Sequence, residues 1–194
     1  MWSDGGMAER GVPVTVRVWA RLQDEQRAEV IDALFAALLE TVSPGSRVLG
    51  SEPVVGVHRE PRAVLAHLDV LPEDAERVVA AILDLDGVLP AGSQIEINGA
   101  TAPFGRLQGL GLYLNGTQLG EDAYAHGDLQ ATADALAEAA GDAGALWSHW
   151  MGPAETAFYF YGPDAGELCE RLAVIVPDLP LLQRSRFAVL PTHD

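Results

Sequence analysis

The hydrophobic positions of this 194-residue chain switch between a two-residue and a three-to-four-residue period, and the sequence of switches runs twice. Val14, Val16, Val18, Ala20 and Leu22 alternate with Arg17, Trp19 and Arg21, which share the opposite face. That pattern predicts a half-buried strand. Asp24 follows as an N-cap with Glu25 in the first turn. Val30, Ile31, Leu34, Phe35, Leu38, Leu39 and Val42 then recur at helical spacing until Ser43-Pro44-Gly45 stops them. Residues 47–58 and 62–70 read as two strands around a turn at Arg59-Glu60-Pro61. A helix over residues 73–85 buries Val78, Val79, Ile82 and Leu83, and residues 93–98 form a short strand.

The second half repeats the plan. Leu110 to Leu114 reads as a strand, and Asp128 caps a helix that carries Leu129, Ala133, Leu136 and Ala140. Ala145 to Met151 and Thr156 to Tyr161 are two more strands, joined through Gly152-Pro153. A helix opened by Pro163 and a strand at 184–190 complete the copy. Prolines bracket the last helix of each half: Pro72 and Pro90 stand 18 residues apart, Pro163 and Pro180 stand 17 apart. The predicted class is α+β: two tandem ferredoxin-like (βαββαβ) modules with antiparallel sheets, over 12–98 and 106–191, with 99–105 as linker. Two such sheets can pack face to face as an α+β barrel or join edge to edge into one sheet, and periodicity leaves both open.

Charge narrows the partners. The formal net charge is −16, and it splits evenly: 16 acids and 8 arginines before residue 99, 12 acids and 4 arginines after it. No basic stripe is available to displace counterions from nucleic acid or to meet an anionic membrane, so neither is an expected partner. A basic protein is an admissible one, because a strong field speeds association with an opposite surface; the same acids also serve solubility. Every one of the 12 cationic side chains is arginine, which with the abundant Ala, Gly, Val and Leu suits a GC-rich, actinobacterial-type genome. The N-terminus lacks the basic-then-apolar order of a signal peptide, and no apolar run reaches the ~18 residues of a membrane span. A cytoplasmic protein, monomeric or homodimeric, is the expectation.

Candidate chemistry is sparse. Cys169 has no second thiol, sits among Leu168, Leu172 and Ile175, and has Glu167 and Glu170 beside it rather than the electropositive setting of a reactive thiol. The five histidines show no metal-binding spacing, and no cofactor is expected; His149 is the one candidate for a lone haem ligand on a sheet. No nucleophile stands in a recognisable context. Gly109-Leu110-Gly111 lies within an apolar strand and is not a phosphate loop, and residues 116–124 read as an exposed connection. The strongest anomaly is an aromatic hairpin, Trp147-Ser148-His149-Trp150 with Phe158-Tyr159-Phe160-Tyr161. Alternation sets Trp147 and His149 on one face and Ser148 and Trp150 on the other. The candidate binding residues are Trp147, His149, Trp150, Tyr159 and Tyr161, large apolar bodies with polar tips; inter-module packing is the competing role for them.

Tyr113-Leu114-Asn115-Gly116 and Trp150-Met151-Gly152-Pro153-Ala154-Glu155-Thr156-Ala157-Phe158-Tyr159-Phe160-Tyr161-Gly162 resemble a stretch of uncharacterised bacterial proteins, over about residues 108–190. More loosely, the chain is similar to small acidic immunity proteins of bacterial toxin systems. Neither resemblance supplies a catalytic residue. Two functions stand: a non-enzymatic acidic binding protein, such as an immunity-type inhibitor of a basic toxin, or a small-molecule enzyme or sensor of the duplicated α+β barrel type, monooxygenase-like, using the inter-module cleft.

Overall fold

The structure, a computed structural model, describes residues 11–117 and 127–193. Most of the expected connection at 116–124, and the extreme N-terminus, lie outside the described residues. The first module runs β1 (Val12–Val18), helix α1 (24–42), β2 (Arg47–Val55), β3 (Pro61–Val70), α2 (Ala75–Leu83) and β4 (Ser93–Ile97). The second runs β6 (Gln108–Asn115), α3 (Leu129–Ala140), β7 (Ala145–Met151), β8 (Glu155–Gly162), α4 (Ala165–Ile175) and β9 (Arg186–Val189).

Two separate antiparallel sheets result, ordered β2-β3-β1-β4 and β7-β8-β6-β9, so the same strand order recurs in both halves. This is the ferredoxin-like α+β arrangement. The stretch expected to be a linker is instead ordered: β5 (Ala100–Phe104) turns back at Asn98-Gly99 and pairs in register with β4, adding a fifth strand to the first sheet. Asn98 and Gly99, both at positive φ, supply the tight reversal that two-residue hairpins require. The linker reading failed because small residues and Pro103 mark turns but are also tolerated on an edge strand, where β5 lies.

Helix α1 opens one residue earlier than a cap at Asp24 implies. Gln23 takes the extended N-cap position without a side-chain bond, and Asp24 is the first helical residue, where its charge meets the helix dipole. Asp128 and Asp164 do cap their helices, each accepting from two backbone N–H groups of the first turn.

The two sheets are buried to different extents. Val14, Val16 and Val18 of β1 and Val64, Ala66 and Leu68 of β3 meet Ile31, Phe35 and Leu39 of α1 and Val78 and Ile82 of α2. The opposite face of that sheet, with Thr15, Leu65 and His67, is only half-buried. In the second sheet, Leu110, Leu112, Phe158 and Phe160 pack on α3 and α4. Its other face is also covered: Tyr113, Trp150, Ala157, Tyr159 and Tyr161 belong to the first module's apolar cluster. One cluster therefore spans both modules.

Because the cover of the second sheet is the first module, Trp150→Ala is expected to cost about 3–5 kcal/mol, as for other large-to-small core truncations. Both modules should still unfold in one transition, followed by far-ultraviolet dichroism and tryptophan fluorescence in urea. Two separable transitions in the wild-type chain, or a loss under about 1 kcal/mol in the variant, would contradict the shared core.

Candidate functional site

The site is built where β1 runs out toward α1. Trp19, Ala20, Arg21 and Leu22 are all buried, and the chain here lies beneath the second sheet. The Arg21 backbone N–H donates to the Tyr161 hydroxyl at 2.8 Å, and the Ser148 hydroxyl donates to the Arg21 carbonyl. The alternation of β1 thus continues past its last ladder bond and delivers Arg21, on the face shared with Arg17 and Trp19, into the junction between modules.

Glu60 meets it from the other side. The loop before β3 closes with the Gly56 N–H donating to the Glu60 carbonyl at 2.8 Å. Within that loop His58 and Arg59 both adopt left-handed conformations, φ 55° and 60°. Two consecutive non-glycine residues there are costly, and such strain persists only where the surroundings over-determine it. Its consequence is the position of one carboxylate. Glu60 Oε1 accepts from the Tyr159 hydroxyl at 2.7 Å, from the Tyr113 hydroxyl at 2.8 Å and from the Arg21 guanidinium. The same guanidinium donates to the Tyr113 oxygen at 3.0 Å and lies 5.3 Å from the Tyr159 ring centroid. Arg186, ion-paired with Glu155 at 2.9 Å, covers the other side of Tyr113 with its guanidinium 3.9 Å from the ring centroid.

The tyrosines fit because β6 offers no side chain beneath them. A Cβ on Gly111 would stand 2.7 Å from the Tyr113 ring, and one on Gly109 would stand 2.9 Å from the Tyr161 ring. The glycine pair that lacks the features of a phosphate loop is therefore a packing device, a groove for two aromatic rings.

Electrostatically the cluster is closed. Burial pushes the Tyr113 hydroxyl up to about 12, aided by its bond to the Glu60 carboxylate and opposed by Arg21. Burial and the same carboxylate drive Tyr159 further up, and burial is the main cause of the rise at Tyr161, opposed by the bond from the Arg21 backbone. For Arg21, burial works against the charge, yet the oxygens of Tyr113 and Glu60 hold the guanidinium above its ordinary value. All three phenols are donors that keep their protons; none is a base.

Beside this cluster opens a cleft of about 300 Å³ lined by Trp19, Arg21, Arg62, Pro191 and His193. Its walls come from both ends of the chain: the first three residues from the first module, the last two from the segment that leaves β9.

The five hairpin residues separate in a way alternation did not anticipate. A bulge between Leu146 and Ser148 resets the register of β7 against β8. Trp147 consequently turns toward the inter-module face, stacking at 4.5 Å on Tyr161, and Trp150 shares that face. His149 alone turns the other way, 6.4 Å from the Phe158 ring and beside Gln23 to Gln26. Trp150, Tyr159 and Tyr161 are buried and Trp147 half-buried, so the aromatics are brought together as the lid of the first module, without His149. Cys169 packs against the second core, and among the described residues no cluster of metal-ligating side chains forms. Arg21 and Glu60, the centre of the site, were missed as candidates. For Arg21 the signal was present, since arginine and tryptophan interleave on one face of β1; for Glu60, read only as a turn residue, it was not.

No protein-family model matches the chain, and no curated protein matches it in sequence. Among solved structures it is similar to a mutant chlorite dismutase from Candidatus Nitrospira defluvii, at 14% identity and a TM-score of 0.31, covering 95% of this chain and 93% of that one. It is also similar to the ligand-free regulatory subunit of aspartate kinase from Thermus thermophilus, at 11% identity and a TM-score of 0.29 over 86% and 92%. An unknown protein from Galdieria sulphuraria matches at 16% identity and a TM-score of 0.29 over 93% and 97%. Likenesses at these scores carry no argument about function, and the fold class rests on the chain's own strand order.

The raised phenol values fix a pH dependence. The folded state retains protons that the unfolded chain releases above the ordinary tyrosine value of 10.0. The stabilisation is therefore complete below pH 10 and is lost as pH rises through about 12. The melting temperature should fall across that window, and the fall should be shallower in Tyr113→Phe. Phenols that ionise at the ordinary value in the folded protein, followed by tyrosinate absorbance, would contradict the closed cluster.

Proposed function

We propose that the chain is a non-enzymatic small-molecule sensor or regulatory protein whose ligand enters the cleft between the modules. The observation that carries this reading is the composition of the cleft wall, drawn from Trp19, Arg21 and Arg62 of the first module and Pro191 and His193 after the last strand of the second. A molecule held there touches both halves, and its binding free energy adds to their docking. Ligand sites favour such junctions, where a concave, mainly apolar surface carries a few convergent polar groups.

The binding reading is preferred over catalysis because the polar groups at the junction are committed. Glu60 accepts three donors on one oxygen, and the phenols around it stay protonated. The alternative, capture of a basic protein such as a toxin by an immunity-type inhibitor, keeps the −16 charge in its favour. It loses the aromatic hairpin as a contact surface, since Trp150, Tyr159 and Tyr161 are spent on the interior.

Native mass spectrometry of untagged protein purified from its own cells separates the two. The sensor reading expects an adduct of small-molecule mass that disappears in Arg62→Ala. A preparation that instead carries a basic protein, released as salt rises, would overturn it.

A further inference from the structure

The cleft is supplied with hydrogen-bond donors and short of acceptors. Trp19 is buried, only 7% exposed, and its indole Nε1–H has no hydrogen-bond partner among the described residues. An orphaned donor in the interior is unfavourable and calls for an acceptor that the described residues do not provide. Arg62 projects from β3 into the same cleft and forms no ion pair or hydrogen bond with any described residue. Arg62, with no acid partner among the described residues, thus lines the same cleft as this buried N–H. The third donor group, Arg21, is already neutralised by Glu60. Among the described residues, the lining charge without a counter-ion is thus that of Arg62, and it is positive.

Size and apolar content complete the description. About 300 Å³ stands at the lower end of small-molecule sites. Pro191 and the Trp19 ring give it apolar walls. Resting on the reading that this cleft is the ligand site, we propose that its ligand is a small organic carboxylate. The planar guanidinium of Arg62 takes the carboxylate through its paired N–H donors, the Trp19 indole N–H donates to one carboxylate oxygen, and a compact apolar body lies against Pro191. Guanidinium matches carboxylate in geometry as well as charge, which an ammonium would not.

The test uses the intact protein labelled with nitrogen-15 at tryptophan. The Trp19 indole resonance, identified by its loss in Trp19→Phe, is followed while acetate, benzoate, acetamide and benzamide are titrated in turn. The expected result is a saturable shift with a carboxylate and none with the matching amide. Arg62→Gln should weaken the carboxylate about tenfold or more, with an unchanged melting temperature because Arg62 supports no other group. Amides that shift the resonance as strongly as carboxylates would overturn the anion assignment and leave the cleft reading standing. Carboxylate binding undiminished in Arg62→Gln would overturn the assignment of the partner. If none of the four moves the resonance, the inference falls, while the small-molecule adduct seen or not seen by native mass spectrometry decides the cleft reading separately.

Discussion

The arrangement of this molecule depends on one carboxylate oxygen. Glu60 Oε1 gathers the guanidinium of Arg21 and the hydroxyls of Tyr113 and Tyr159, the first from its own module and the other two from the facing sheet. Apolar contacts between the sheet and the first module are non-directional and would tolerate sliding. A half-buried carboxylate that gathers three donors on one oxygen does not tolerate it. Removing Glu60 leaves the buried guanidinium of Arg21 and two buried hydroxyls uncompensated, so the cluster acts as a register pin rather than as added adhesion. The strained pair His58 and Arg59 is the cost of holding that carboxylate at the right height.

From that pin follows the asymmetry of the two modules. The first sheet is packed on its helices and has a second face that is half-polar, as antiparallel sheets commonly do. The second is covered on both faces, by α3 and α4 on one side and by the first module on the other. Its aromatic residues are explained by this. Phe158 and Phe160 face helices, where nothing polar is needed, while Tyr159 and Tyr161 face the junction, where each hydroxyl finds an acceptor or donor. At the cleft on the edge of the junction the matching of donors and acceptors stops: among the described residues the indole of Trp19 and the guanidinium of Arg62 are left over.

Much of this was legible in the sequence. The alternation at Val14–Leu22 and the helical spacing at Val30–Val42 gave the first elements, and the proline brackets gave the matching plan of the second half, because both depend on local geometry and on one buried face. Three things were not legible. Residues 100–104 look like a linker because edge strands tolerate the small residues and proline that also mark loops. The bulge in β7 leaves no local signature, and it moves Trp147 off the face it was expected to share with His149. Glu60 is hidden for a different reason: an acidic residue in a turn is usually solvated, and only the meeting of segments 39 to 99 residues apart makes it central. Long-range polar convergence has no period to read.

Glu60 and the tyrosines act as one unit across the junction, and a double-mutant cycle measures that directly. Glu60→Gln, Tyr159→Phe and the double variant would be compared with the wild type by urea denaturation at neutral pH. The expected coupling is about 1 kcal/mol or more, the double variant being less destabilised than the two single losses combined. Losses that add within about 0.5 kcal/mol would mean that the two groups stabilise the fold independently, and that the junction is held by apolar burial alone.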